Sequence, residues 1–149
     1  MQSCLACASF VEAQVGKVLD AFDSSDYKDN TYIVLFTDHG FHLGEKERFT
    51  KRNLWKDGAV VPLILARPGI KSGQVCIKIV EPIDIYPTLL ELTGLLPDSM
   101  FVGNSLLPLS KDPGADWPYM ERNGFLSENY AIISENYRFI QYNNGSEEF

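Results

Sequence analysis

The chain has 149 residues, 45% of them hydrophobic and 22% charged, with a net charge of -7. That length gives room for the core of one domain, and the composition is that of an ordinary soluble globular protein. The acidic balance excludes a general nucleic-acid binder, which would carry a basic face, and no apolar run approaches the roughly 20 residues of a membrane span.

The N-terminus, MQSCLACASFVEAQVG, lacks a basic start followed by an apolar run, so no signal peptide is visible. Apolar residues at Phe10, Val11, Val15, Val18, Leu19 and Phe22 fall on one face at helical spacing and predict an amphipathic helix from Ala6 to about Phe22. Cys4 and Cys7 sit three apart with no second pair and no flanking histidine, so they are predicted as small buried residues rather than a redox or zinc half-site. DSSDYKDN reads as a polar loop. Tyr32 to Phe36 is a short β-branched and aromatic run, predicting a strand buried on both faces. VVPLILARPG, residues 60–69, predicts a second such strand, closed by Pro68-Gly69. The long connection between them has the length of a functional loop.

Beyond Gly73, QVCIKIVEP predicts another short strand. DIYPTLLELTG predicts a helix with Asp84 at its N-cap, Pro87 in the first turn and Gly94 beyond its end. Residues 96–118 are rich in Pro, Gly, Ser and Asp and read as an irregular connection. From Phe125 the character turns aromatic and β-branched, with turns at SEN and NNG. The order of elements defines an α/β chain with a small antiparallel appendage.

The residues that carry chemistry lie in the first long loop, TYIVLFTDHGFHLGEKERFTKRNLW, which holds both histidines of the chain. Asp38 and His39 stand at the carboxyl end of a strand, where sites gather in α/β sheets. An adjacent acid and imidazole suit a divalent cation, and Gly40 lets the backbone turn closely around it. The plain alternative is an Asp-His pair satisfying loop amides. Lys51 and Arg52 could return to meet an anion beside the metal, although two neighbouring basic residues are more often a solvated pair. Glu45, Lys46, Glu47 and Arg48 alternate in sign as a solvated face does. Together these residues point to metal-assisted chemistry on an anionic ester. The ligand set is unfinished: Glu81 and Asp84 are further candidates, but Asp84 is already engaged as a helix cap.

These segments, in this order, resemble the type I sulfatase family of the alkaline phosphatase-like superfamily, closest to iduronate-2-sulfatase and choline-sulfatase-like enzymes. ASFVEAQVGKVLDAF resembles the helix preceding the metal-binding strand, and NTYIVLFTDHGFHLGEKERFTKRNLW the strand and metal loop. VPLILARPG, DIYPTLLELTG, NSLLPL and YRFIQYNNGSEE resemble further family segments. The resemblance implies part of a three-layer sandwich, with residues 1–110 the C-terminal part of the α/β domain and residues 111–149 the start of an antiparallel subdomain. It implies Asp38 and His39 as ligands of a divalent cation, usually calcium, and Lys51 as the catalytic lysine that contacts the sulfate. His42 is assigned to the lining of the substrate pocket, and Arg52 receives no catalytic role. Calcium prefers oxygen ligands, so the imidazole by its own chemistry points to zinc or manganese.

The family nucleophile is a formylglycine made from a cysteine in a C-x-P-S-R motif, and none of Cys4, Cys7 and Cys76 stands in one. The 149 residues are therefore expected to be the C-terminal portion of a longer sulfuric ester hydrolase, inactive alone and prone to self-association through uncovered apolar faces. Its partner would be a sulfate-ester small molecule or glycan, in an extracytoplasmic or lysosomal setting. Two other readings stand beside it: a phosphodiesterase or phosphonate monoester hydrolase of the same superfamily, and a non-catalytic remnant that binds an anion or a partner.

Overall fold

A long helix, α1 (Gln2–Asp23), opens the chain. This computed structural model describes residues 2–51, 53–66, 68–70, 72–96, 100–117, 121–125 (backbone) and 129–149. The helix forms where the 3.6-residue apolar pattern predicts it, yet no residue of α1 is buried, and Leu5, Phe10, Val11 and Val18 are all exposed. Cys4 and Cys7 share that exposure, contrary to the buried placement expected for them. An apolar stripe settles which face wants cover, not whether this chain supplies it.

A turn at Lys28–Asn30 leads into β1 (Ile33–Phe36), which pairs antiparallel with β2 (Leu63–Ala66), Phe36 opposite Leu63. The expectation of strands buried on both faces does not hold within this chain: Leu35, Phe36 and Ile64 are exposed. Of the residues in the two strands, Leu63 packs against the small core formed by the elements that follow. The Tyr32 hydroxyl donates to the Leu92 carbonyl at 3.0 Å, tying the entry of β1 to the helix α3 (Ile85–Leu92).

Residues 74–82, expected as a strand, run without ladder pairing. Their β-branched residues have the propensity but no neighbouring strand, and Val75 and Ile77 face solvent. The segment is held by Trp117, whose indole N–H donates to the Ile79 carbonyl at 2.8 Å, and by Val80. Asp84 stands immediately before α3 as predicted, but its side chain makes no cap bond to that helix. Its carboxylate accepts the Glu81 amide at 2.9 Å, closing a capping box on the short turn Pro82–Asp84, and accepts the Asn104 amide at 2.7 Å. Thr88 continues this contact by accepting the Leu106 amide at 2.8 Å. A short helix, α4 (Leu107–Lys111), then buries Leu106 and Leu109 with Trp117 in one small core, flanked by Leu63 and Val80.

The C-terminal residues form a meander, β3 (Glu121–Phe125), β4 (Asn129–Ile133), β5 (Arg138–Gln141) and β6 (Glu147–Glu148), each antiparallel to the next. The SEN and NNG segments make the two turns expected of them, and Gly145 supplies the positive φ of the second. Ala131 and Ile140 from this sheet bury against Leu54 of the long loop, with Trp55 and Tyr142 beside them. Arg138 donates to the Leu54 carbonyl at 2.6 Å. The second core therefore joins the sheet to the segment carrying the candidate site.

Candidate functional site

The site is built where β1 ends. Asp38 and His39 leave the strand, and the chain then closes on itself through Gly40, whose amide donates to the Gly58 carbonyl at 3.0 Å. A side chain at Gly40 would place its Cβ 2.0 Å from the Asp57 carbonyl oxygen, so only glycine admits this approach. Gly58 belongs to the short helix α2 (Lys56–Ala59). The loop is thus pinned at its two ends, with residues 41–55 forming the excursion between them.

His39 is oriented by its own turn. Its Nδ1–H donates to the Gly40 carbonyl at 2.9 Å, and because a carbonyl can only accept, this bond places the proton on Nδ1. The lone pair is then on Nε2, which accepts from Lys51 Nζ at 2.9 Å. Asp38 Oδ1 lies 3.6 Å from the same Nε2. The Asp38 side chain is 82% exposed and that of His39 35%, so the carboxylate, the imidazole nitrogen and the ammonium converge at an open surface. Thr37 donates to the His39 carbonyl at 3.2 Å and steadies the turn.

A cation already faces the donors, because the Lys51 ammonium occupies the position opposite the free lone pair of His39. An oxygen and a nitrogen donor 3.6 Å apart, with the imidazole fixed by a bond to its other nitrogen, are of the chemical type that holds a divalent metal. Asp84, one of the further candidate ligands, is buried with both oxygens committed to backbone amides. Arg52 lies outside the described residues.

His42 is only 1% exposed. Its amide donates to the Thr50 carbonyl at 2.9 Å, closing the loop across its base. Asn53 Oδ1 accepts from the Trp55 backbone amide at 3.0 Å, which settles the orientation of the side-chain amide. His42 Nε2 lies 3.1 Å from that same oxygen and therefore donates to it. The ring also packs edge-on against Trp55, with centroids 5.5 Å apart. Expected at the wall of a substrate pocket, the imidazole is instead enclosed inside the loop.

One further cluster escaped sequence reasoning. Glu148, on the last strand, accepts from the Trp55 indole at 2.9 Å and the Tyr142 hydroxyl at 3.0 Å, and pairs with Lys46, whose ammonium lies 4.6 Å from the centroid of the Trp55 ring. The Lys46 hydrogen bond foremost, then that of Trp55, holds the Glu148 carboxyl below the usual carboxylate range. Burial and the Glu148 carboxylate push the Tyr142 phenol up.

Comparison with known proteins identifies the family to which this mixed α/β chain belongs. The Sulfatase family pattern matches residues 1–95. The chain is 42% identical over its whole length to a sulfatase of Formosa agariphila, covering 29% of that protein. It is 30% identical to arylsulfatase K of Homo sapiens, with 94% of this chain and 28% of that protein aligned. The solved structure of BT4656 in complex with its substrate D-glucosamine-2-N,6-O-disulfate superposes with a TM-score of 0.86 at 30% identity, over 93% of this chain and 31% of that one. The chain belongs to the sulfatase family, and its fold is that of the alkaline phosphatase-like sulfatases. It spans less than a third of the length of these relatives.

Proposed function

We infer that this chain supplies part of the active site of a sulfatase that hydrolyses sulfate esters of sugars. The observation that carries it is that His39 Nε2 neighbours both Lys51 Nζ, at 2.9 Å, and Asp38 Oδ1, at 3.6 Å. Family membership supports the reaction, and the sulfated glucosamine bound by BT4656 supports the substrate class. Asp38 and His39 would hold a divalent cation, calcium by family habit, whose chemistry is to polarise the sulfate oxygens. His39 keeps its lone pair available by donating its one proton to Gly40. Lys51 moves from the imidazole onto the sulfate and offsets the charge that grows on the departing oxygen. The formylglycine nucleophile would come from a segment outside these 149 residues, because no cysteine here stands in the required motif. His42 serves by holding the loop that carries Lys51.

The test is Lys51→Ala in a catalytically complete protein carrying this chain. Removing one charge-stabilising group costs on the order of 2.7–4 kcal/mol in the barrier, so turnover of a sulfated sugar should fall about a hundredfold or more. Near-parental turnover would remove Lys51 from the reaction. Paired assays on sulfate and phosphate esters decide the chemistry, and a dominant phosphodiesterase activity would replace the sulfatase assignment.

A further inference from the structure

A second cluster of ligating groups involves neither Lys51 nor His39. His42, Glu45 and Asp57 bring one ligand atom each to within 4.8 Å of one another. Two of the three are exposed acids, a common arrangement without meaning of its own. The third is not ordinary. His42 Nδ1 is buried and has no hydrogen-bond partner, and the nearest charged atom is Glu45 Oε2 at 3.9 Å, beyond hydrogen-bond reach.

The proton bookkeeping sharpens this. The Trp55 amide makes Asn53 Oδ1 an acceptor, so Nε2 of His42 carries the proton. In the neutral ring, Nδ1 is then a bare lone pair directed toward a carboxylate. Glu45 Oε2 is itself fixed by accepting the Leu43 amide at 2.6 Å. A buried lone pair facing an anion is an arrangement that a positive centre between them would resolve. Asp57, brought alongside by the close packing of Gly40 on α2, faces the same space.

We propose that His42 Nδ1, Glu45 and Asp57 form a cation site separate from Asp38 and His39, and that it takes a zinc-like divalent ion. One imidazole nitrogen and two carboxylates suit zinc, whereas calcium would seek six or more oxygens. The exposed side of the two acids leaves a fourth position for water. Bonds of about 2 Å in a tetrahedral site space the ligand atoms about 3.3 Å apart, so closure draws the exposed acid side chains inward by roughly 1.5 Å. The ion would join the turn Glu45–Glu47 to α2 and brace the loop that presents Lys51. Its role is structural, and it does not depend on the reaction assigned to Lys51.

The experiment is calorimetric titration of Zn2+ into the chelator-stripped complete protein carrying Asp38→Ala and His39→Ala, with Glu45→Gln and Asp57→Asn each added in turn. The two acids are exposed, so these variants fold even where a His42 substitution would not. One equivalent should remain after Asp38 and His39 are removed, and each acid variant should weaken it at least tenfold. Co2+ in place of Zn2+ should give the intense ligand-field absorption of a four-coordinate site, lost in the same variants. Absence of that equivalent, or binding indifferent to either acid, overturns the site. Loss of a different equivalent on removing Asp38 and His39 reports on the sulfatase metal alone, so the two assignments fail separately.

Discussion

Gly40→Ala and Gly16→Ala make the same chemical change with opposite predicted signs. At Gly40 the new Cβ would sit 2.0 Å from the Asp57 carbonyl oxygen and 2.9 Å from its carbon, against an ordinary contact of 3.4 Å or more. Both obstructing atoms are backbone, so the strand end and α2 must separate rather than a side chain swing away. Overpacking of this kind costs about 1–3 kcal/mol. The Gly40–Gly58 hydrogen bond, 3.0 Å long, is strained or lost with it, adding about 0.5–1.5 kcal/mol. The expected destabilisation is about 2–4 kcal/mol. At Gly16, inside α1, a Cβ meets nothing within 4 Å, and alanine should stabilise the helix by roughly 0.5–1 kcal/mol. Urea unfolding of both variants, with m unchanged, measures the difference. Because the Gly40 carbonyl also holds the Nδ1 proton of His39, Gly40→Ala should weaken divalent-cation binding at Asp38 and His39. A Gly40→Ala protein within 0.5 kcal/mol of the parent, on the scale of neutral surface changes, would refute the close approach.

Acid sensitivity should trace to Glu148 and Glu45. Both folded-state carboxyls lie below the ordinary value of 4.5, so their contribution to stability is full above that value and disappears as pH falls through the depressed folded value. Tyr142 works in the opposite sense: its raised folded value makes its contribution full below 10.0 and lost as pH climbs above it. Melting temperature against pH should therefore have a shallower acid limb in Glu148→Gln, and an identical limb would exclude the cluster as its source. Glu47 holds φ at 57°, a left-handed conformation that costs a non-glycine residue roughly 1–2 kcal/mol, so Glu47→Gly should stabilise by a few tenths to about 1 kcal/mol. Glu12→Gly in the interior of α1 should instead destabilise by about 1 kcal/mol, and equal losses in the two variants would mean the turn is not left-handed.

What could be read from sequence divides along the range of the interactions. The helix α1, the helix α3 with Asp84 before it and Gly94 after it, and the turns at SEN and NNG follow from local periodicity and local backbone preference. Residues 74–82 were misread because β-branched content reports propensity, while a strand needs a partner that propensity does not name. The exposed Cys4, Cys7 and Phe36 failed for a related reason, since an apolar face does not say what covers it. Asp38 and His39 were legible as neighbours at a strand end and Lys51 as half of a basic pair able to meet an anion, whereas its contact with His39, spanning 12 positions, was not. Nothing in the sequence announced Glu148 meeting Trp55 across 93 positions, or the amide relay by which Asn53 decides the tautomer of His42.

Those long-range contacts explain how an irregular loop can hold a lysine in place. Among the described residues between β1 and α2, the regular structure is one short turn, Glu45–Glu47, and no strand ladder includes Lys51. The loop is instead fixed at three kinds of point. Gly40 packs on α2, the His42 ring is enclosed by Asn53 and Trp55, and Trp55 and Lys46 are both tied to Glu148 on β6. The third of these comes from the far end of the chain, and Leu54 anchors the same stretch in the core of the meander through Ala131 and Ile140. Lys51 sits three residues before Leu54, so a shift of that anchor is carried along the backbone to its ammonium. Through its described side chains the antiparallel sheet thus contributes to the candidate site by way of Leu54 and Trp55, bracing the stretch that follows the lysine.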